Sequence, residues 1–277
     1  MEKRLVAQGP KDRKSYTITL PLEWVKQQSL DKTRTADLEA VGNKVIISAY
    51  KDEHKTKIID ADKAENAIMK ILQTAYRLGI DELKVKYSNP ELRKKIAYIL
   101  NNRLIGYEVI EQSKNLLVIK DITKESTEEF KTVLRRIFLL ILETTKTPEE
   151  AEETDKSLKK LSNYCQRLLI KKGHTDYNKV PFYYTLIHQL EKLSDEYAWL
   201  YKSKVSDAKS LEKLNNYVEK TYEIFYKFEL EKFNKYQHET YLLKNTLRDK
   251  KETHLHNIAR QLNSILGTVL LIRFEEA

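Results

Sequence analysis

The fold of the first part of the chain is predicted from the stretch Ser15-Tyr16-Thr17-Ile18-Thr19-Leu20-Pro21-Leu22-Glu23-Trp24. Its first six residues alternate in polarity and are rich in β-formers, which predicts a strand. Pro21 suits the first turn of a helix because its missing N–H would have no helical partner there. The residues from Leu22 to Gln28 then supply a short helix. A strand leading straight into a short helix predicts a β-rich unit.

The flanking segments extend this β-rich pattern over residues 1–50. Arg4–Ala7 is predicted as a first strand, and Gly9–Lys14 as a polar turn with two helix breakers. Segments 36–40 and 44–49 flank Val41-Gly42-Asn43, which predicts a hairpin. About 50 residues with so little apolar content cannot form a strong core alone. We therefore expect residues 1–50 to dimerise.

Residues 51–122 change to an alternation of strands and helices. The predicted strands are 56–60, 83–87, 107–110 and 116–119, and the predicted helices are 62–79 and 89–103. Asn89 followed by Pro90 is a typical helix start, because Asn caps and Pro occupies the first position. The order βαβαββ predicts a small α/β domain.

Residues 123–277 are predicted to be helical. Ser126–Glu129 and Thr147–Glu150 match the capping-box pattern at helix starts. Six helices are predicted, beginning near residues 126, 147, 180, 207, 240 and 252. Short connections imply antiparallel neighbours, hence a helical bundle, with two sets of three helices as one arrangement. The predicted fold class is multidomain α+β, with domains 1–50, 51–122 and 123–277.

Composition excludes several classes of protein. The 277 residues contain one Cys, which excludes an intramolecular disulfide framework and a Cys-based zinc site. The longest apolar run is far shorter than the roughly 18 residues of a membrane span. The charged start Met-Glu-Lys-Arg-Leu-Val differs from a signal peptide. We expect a soluble, cytoplasmic protein.

The net charge of +9 suggests a nucleic-acid partner but locates no binding region. Residues 1–50 hold nine basic and six acidic residues, and residues 51–122 hold 14 and 11. Each segment, like the remainder, carries an excess of three positive charges. The high Lys and Glu content also fits the charged surface of a thermophile protein.

Two segments carry a resemblance to an archaeal family of regulators. Ser15–Trp24, followed by Val41–Ile47, resembles the AbrB/SpoVT-like swapped-hairpin domain found at the front of archaeal PhoU-like proteins. That domain reads roughly S-x-x-V-S-L-P-K-x-W, followed by a short helix, a Gly-Asp turn and a hairpin. Leu104–Ser113 resembles the L-I-G-x-E-I-I-E-x-S stretch of the same group.

The helical part resembles PhoU, whose strongest signature is L-E-R-I-x-D-H. Here the stretch reads Leu190-Glu191-Lys192-Leu193-Ser194-Asp195-Glu196. The resemblance implies a homodimer that binds DNA and takes part in transcription regulation connected with phosphate uptake. It also implies DNA contact through the basic residues Arg4, Lys11, Arg13 and Lys14. The family's Lys after the strand proline is Leu22 here, which removes one phosphate partner, and Lys32–Ala36 replaces its Gly-Asp turn.

PhoU proteins often carry E-x-x-x-D on their helices, and many bind metal there. Glu191 and Asp195 have this spacing, which places both carboxylates on one helix face. A cluster needs further ligands, but the preceding helix offers Lys159 and Asn163, and residues 253–273 contain no Asp or Glu. We expect no bound metal or cofactor, and Lys159 pairing with Glu191 or Asp195.

No phosphate-binding loop, dinucleotide fingerprint or nucleophile elbow is present, so an enzyme is not expected. The leading hypothesis is a DNA-binding regulator whose bundle receives a signal from a docking transporter or signalling protein. The alternatives are a dimeric adaptor that regulates a transporter or sensor kinase without binding DNA, and an architectural DNA protein without sequence preference. Cys165 lies on the predicted inner stripe of its helix, so we expect a buried, inert thiol.

Overall fold

Two short hairpins and two short helices form the start of the chain in a computed structural model, which describes residues 4–10, 12–41, 44–49, 54–123, 127–172, 174, 176–203, 207–250 and 252–277. Strands β1 (Val6–Gln8) and β2 (Ser15–Thr17) pair antiparallel, as do β3 (Asp37–Val41) and β4 (Lys44–Ser48). Helices α1 (Leu22–Gln27) and α2 (Leu30–Thr33) lie between the hairpins in sequence.

The first unit follows the predicted order but differs in its boundaries. The second strand ends at Thr17 instead of Leu20, so an extended segment separates it from helix α1. Helix α2 was not predicted, and the residues on either side of it, Ser29 and Arg34, have positive φ values of 56° and 54°. Gly42 and Asn43 of the predicted hairpin turn lie outside the described residues.

A four-stranded sheet with two helices follows, in the predicted order βαβαββ. Its elements are β5 (Thr56–Asp60), α3 (Ile68–Arg77), β6 (Glu82–Lys86), α4 (Pro90–Arg103), β7 (Tyr107–Gln112) and β8 (Leu116–Asp121). The strand order is β5-β6-β8-β7, parallel between β5 and β6 and antiparallel elsewhere. Asn89 caps α4 as predicted, because its side chain accepts a hydrogen bond from the Glu91 N–H at 2.8 Å.

Helix α3 begins later than the sequence predicts, at Ile68 instead of Asp62. The Asp62 carboxylate accepts hydrogen bonds from the backbone N–H and the hydroxyl of Ser88, at 3.2 and 2.9 Å. It therefore ties the loop after β5 to the end of β6 and caps no helix. Residues 61–67 form turns instead.

The remaining chain forms six long helices, and the predicted number is correct for the described residues. They are α5 (Thr127–Lys146), α6 (Ala151–Lys172), α7 (Val180–Lys202), α8 (Ala208–Tyr226), α9 (Leu230–Asp249) and α10 (Thr253–Arg273). Helix α10 packs against α7, α8 and α9, while α6 packs against α5 and α7. None of the helices in the described residues combines the length and the apolarity that crossing a bilayer requires.

Two predicted helix boundaries in the bundle are wrong. The fourth helix ends at Tyr226, and the fifth begins at Leu230 instead of residue 240. The cause is a tertiary contact, because the Arg273 guanidinium donates to the carbonyl oxygens of Phe225 and Tyr226, both at 3.0 Å. These carbonyls lie in the last turn of α8, where helical partners are missing.

The second capping box does not form as predicted. The Thr147 hydroxyl donates back to the Glu143 carbonyl at 3.0 Å, so it caps no following N–H group. Pro148–Glu150 form a single 3₁₀ turn before α6. Ser126 of the first capping box lies outside the described residues.

The chain divides into two compact units, residues 1–53 and residues 54–277. The sheet and the bundle belong to the second unit and share one hydrophobic core, which includes Leu83 and Ile119 of the sheet and Leu168 and Leu190 of the bundle. The division of residues 51–277 into two separate domains stays a prediction.

Arg167 joins the sheet to the bundle from within this core. Its side chain has no solvent exposure, and the Asp121 side chain that it pairs with is 3% exposed. The guanidinium donates to Asp121 Oδ2 at 2.5 and 3.0 Å and to the Tyr76 carbonyl at 2.7 Å. It also lies 4.9 and 5.3 Å from the ring centroids of Tyr76 and Tyr107, where a cation is attracted to the ring faces.

A second layer of hydrogen bonds completes the Arg167 junction. Asp121 Oδ1 accepts from the N–H and the hydroxyl of Thr123, at 3.0 and 2.6 Å. Burial raises the pKa of Asp121, but the hydrogen bonds from Thr123 and the charge of Arg167 outweigh it, so that the pKa is below its ordinary value. Lys171 pairs with Asp81 at 2.8 Å beside them. All these charges are paired, as buried charges must be.

Replacing Arg167 with Met is expected to lower the free energy of unfolding of residues 54–277 by about 3–5 kcal/mol, because the buried Asp121 then keeps only the more distant Lys171, at 3.9 Å, as a cation. Urea unfolding followed by circular dichroism measures this. In the matched control Arg136→Met, an exposed pair with Glu143 is lost, and the change should stay below about 1 kcal/mol. Equal losses in the two variants would contradict the role assigned to Arg167.

Candidate nucleic-acid interface

The predicted basic turn is the connection of the β1–β2 hairpin. Val6 pairs with Thr17 and Gln8 with Ser15, and the Arg13 N–H donates to the Pro10 carbonyl at 3.0 Å. Gly9 has φ of +100°, and a Cβ there would lie 2.6 Å from the Arg13 carbonyl oxygen. Only glycine fits at this position, so the sequence fixes a tight turn that presents its polar side chains outward.

The structure describes three of the four predicted DNA-binding residues and places them at two ends of this hairpin. Arg13 and Lys14 lie in the turn, and both are exposed. Arg4 is also exposed but precedes β1, four residues before Gln8, which at about 3.3 Å per residue puts it roughly 13 Å from the turn end. Lys11 lies outside the described residues.

The three described cations of the hairpin have no acidic partner, whereas most cations of the Arg167 junction and the bundle do. Within the described part of the chain, none of Arg4, Arg13 and Lys14 makes an ion pair, although Asp12 lies in the same turn. An exposed cation without an acidic partner keeps its full charge available for an external anion. The described residues of the hairpin turn thus carry two exposed cations, Arg13 and Lys14, and one carboxylate, Asp12.

The first unit exposes most of its large hydrophobic side chains. Leu30 is its one buried hydrophobic residue among those described. The exposed ones range from 39% to 68% exposure and are Leu5, Val6, Tyr16, Ile18, Leu22, Leu38, Val45 and Ile46. Folded monomers seldom leave so much apolar surface uncovered in one small unit.

The carboxylates of Glu191 and Asp195 on α7, which have the spacing of metal ligands, pair with basic side chains of the protein. Lys159 Nζ lies 2.6 Å from Asp195 Oδ1 and 2.5 Å from Asp155 Oδ2, so one ammonium group bridges two carboxylates on α7 and α6. Glu191 is 3.5 Å from the Arg77 guanidinium instead. The expected pairing of Lys159 with Asp195 is confirmed, and Glu191 pairs elsewhere.

Burial and charge act in opposite directions on this cluster. Burial raises the pKa of Asp195, but the Lys159 and Lys192 ammonium groups outweigh it and hold the pKa below its ordinary value. Burial lowers the pKa of Lys159, and the two carboxylates more than reverse this. Asp155 Oδ1 also accepts a hydrogen bond from Ser194 at 3.0 Å. The cluster is a satisfied ion-pair network that ties α6 to α7.

Asp155 was missed as a member of this network. As a metal ligand Asp155 would need a second carboxylate four residues earlier on its helix, and that position is Ala151. The spacing of Asp155 and Lys159 was the informative signal, because residues four apart lie on the same face of a helix. Acid N-terminal to base at this spacing predicts an ion pair.

His254 and His256 stand two residues apart on α10 and contact different parts of the bundle. His254 Nδ1 lies 3.2 Å from a Glu196 carboxylate oxygen, while His256 Nδ1 lies 3.2 Å from the Lys244 carbonyl. The two imidazoles therefore serve different helices, as their spacing of two predicts. Across the residues described here, no three His, Cys, Asp or Glu side chains converge as metal ligands. Cys165 is buried as expected, and burial raises the pKa of its thiol.

Comparison of the chain with protein-family models, with curated proteins and with solved structures finds no match.

Replacing Lys159 with Met should lower the free energy of unfolding at neutral pH by about 2 kcal/mol, because the buried Asp155 then loses its cation and only Lys192, paired with Asp195 at 2.8 Å, remains beside the two carboxylates. The depressed pKa of Asp195 contributes stability above the ordinary carboxyl pKa of about 4, and this contribution is lost as the pH falls through the lower folded-state value. The difference between wild type and variant should therefore shrink on acidification in urea unfolding titrations. A pH-independent difference, or an equal loss in the more exposed Lys192→Met, would contradict the bridging role.

Proposed function

We propose that the protein is a dimeric, DNA-binding transcriptional regulator of the archaeal PhoU-like type, connected with phosphate-uptake signalling. The proposal combines the resemblance of Ser15–Trp24, Leu104–Ser113 and Leu190–Glu196 to that group with the electrostatics of the first unit. The link to phosphate rests on the resemblance alone.

The observation that carries DNA binding is the hairpin turn with its unpaired cations. Arg13 and Lys14 are exposed next to a glycine-fixed turn, with no ion pair to neutralise them within the described residues. Arg and Lys at such a position contact phosphate oxygens, which position a protein on a duplex without reading sequence. A two-fold dimer presents this turn twice, so that two sets of contacts reach one duplex.

Dimerisation follows from the uncovered apolar surface of residues 1–53. A second copy of the same unit offers a surface of the same chemistry, and closed two-fold pairing is the commonest way to cover it. Leu38 and Val45 on the β3–β4 hairpin are 68% and 59% exposed, so they contribute strongly to the surface that needs cover. Covering each such side chain contributes about 1.5–3 kcal/mol.

In this proposal the helical bundle receives the signal. A partner that docks on it with different affinity for two dimer geometries changes the population of each. The spacing of the two basic turns then becomes favourable or unfavourable for neighbouring grooves of the duplex.

A dimeric adaptor without DNA affinity is the second candidate, and Leu22 favours it. Leu22 stands where the resembling domain has Lys, and it is 66% exposed. An exposed leucine suits an apolar partner surface better than a phosphate. The adaptor regulates a transporter or sensor kinase by direct contact and uses residues 1–53 only to dimerise.

Replacing Leu38 with Glu should convert the dimer into a monomer of 32.7 kDa, because a charge would be buried without a partner at the interface. Light scattering coupled to size-exclusion chromatography measures the mass. Leu271→Glu alters a 52%-exposed leucine on α10 and serves as the control that keeps the dimer. A monomeric wild type, or dissociation by both variants, would exclude dimerisation through the first unit.

The double replacement Arg13→Glu and Lys14→Glu should abolish binding to duplex DNA at low salt, since four phosphate contacts per dimer become repulsive. Neutral replacement of both by Ala should reduce the slope of log affinity against log salt by about 0.9 for each lost contact. Fluorescence anisotropy with a labelled duplex over a salt series measures both effects.

The control for the DNA experiment changes the net charge by the same amount elsewhere. Lys213→Glu with Lys235→Glu alters two exposed lysines of α8 and α9 that have no ion pair in the described residues. It should leave DNA binding within about twofold, because neither lysine belongs to the hairpin turn that contacts phosphate in this proposal. No wild-type binding at low salt would favour the adaptor. Equal affinity for unrelated duplexes would indicate an architectural DNA protein.

A further inference from the structure

The bundle contains a small cavity lined mainly by aromatic side chains. Its volume is about 150 Å³, and an apolar cavity of about this size can hold a benzene ring. Phe130 and Leu134 from α5 and Phe225 from α8 form its floor, each exposed by 5% or less. Tyr183 from α7 and Tyr226 at the end of α8 complete the wall.

The rings around the cavity are held in fixed mutual geometry. The Tyr183 ring meets Phe130 edge-to-face at 5.4 Å between centroids and Phe225 at 6.4 Å, with interplanar angles of 88° and 87°. Phe225 meets Tyr226 at 4.9 Å and 89°. A flat aromatic guest finds both ring faces and ring edges in such a cavity, and these are the contacts that aromatic pairs prefer.

Two cations, Lys131 and Arg273, line this aromatic cavity. Lys131 and Arg135 lie four residues apart on α5, are exposed, and make no ion pair in the part of the chain that the structure describes. Arg273 is already engaged, because its guanidinium caps α8 and pairs with Glu276 at 2.8 Å. Lys131 lines the cavity itself, so its ammonium group is free to pair with an anion at the mouth.

Two hydroxyl groups add hydrogen-bonding capacity. The phenols of Tyr183 and Tyr226 make no hydrogen bond to other described residues. Burial raises the pKa of both, so at neutral pH they are protonated and can donate. His174 also lines the cavity, with its ring centroid 4.5 Å from that of Tyr183 and the two planes tilted by 33°. Burial lowers the pKa of His174, which keeps it neutral.

We propose that this cavity binds a small single-ring aromatic anion, with its ring among Phe130, Tyr183, Phe225 and Tyr226 and its carboxylate on the Lys131 ammonium group. The apolar floor excludes a ligand that is charged throughout. The free cation at the mouth favours a carboxylate over a neutral ring of the same size. All residues of this site belong to the bundle. The proposal is therefore independent of whether the protein binds DNA.

Benzoate is the probe for this site, measured by saturation-transfer NMR and by calorimetric titration of the full-length protein. Wild type should bind benzoate and, more weakly, benzyl alcohol, and acetate should not compete. Lys131→Met should weaken benzoate binding by about fivefold and leave benzyl alcohol unchanged. The matched control Lys213→Met on α8 should change neither.

A second variant tests the aromatic wall. Tyr226 is 40% exposed, so Tyr226→Leu should fold, as circular dichroism can verify, and should weaken both ligands together. Absence of benzoate binding to wild type would overturn the proposal. Equal effects of Lys131→Met and Lys213→Met, or competition by acetate as effective as that by benzoate, would also overturn it, because both indicate general attraction of anions.

Discussion

The buried pair of Arg167 and Asp121 is the interaction on which residues 54–277 depend. Asp121 ends the last strand of the sheet, and Arg167 lies near the C-terminal end of α6. The pair therefore connects the sheet to the helical bundle, which the sequence alone separates. A buried charge without its partner is very unfavourable, and this forces the sheet and the helices into one relative position. The flanking rings of Tyr76 and Tyr107 fill the space around the guanidinium.

Sequence periodicity predicted the elements with local causes. The order βαβαββ, the cap at Asn89 and the number of long helices follow from alternation, helical spacing and capping chemistry, which act within a few residues. The wrong boundaries have distant causes. Asp62 accepts a hydrogen bond from Ser88, which follows the neighbouring strand β6. Arg273 donates to a carbonyl oxygen at the end of α8. No window of neighbouring residues contains either contact.

The candidate sites show the same division between local and distant causes. The basic turn was predicted from Gly9, Pro10 and the cations beside them, and the structure places Arg13 and Lys14 in one tight turn. The metal-ligand spacing on α7 could be judged only once the residue of α6 that faces Asp195 was known. That residue is Lys159, and helix packing brings the two together. The aromatic cavity was not predicted for the same reason, because its lining residues come from helices that are far apart in sequence. Within each helix, these residues have the pattern of ordinary core positions.

Arg273 also has a consequence for how the bundle melts. The last turn of α8 is held by a side chain that stands 47 residues later than Tyr226, at the end of the final helix. Fraying of that final helix therefore releases the carbonyls of a helix in the middle of the bundle. The C-terminal ends of α8 and α10 therefore unfold together, although they are 47 residues apart in sequence.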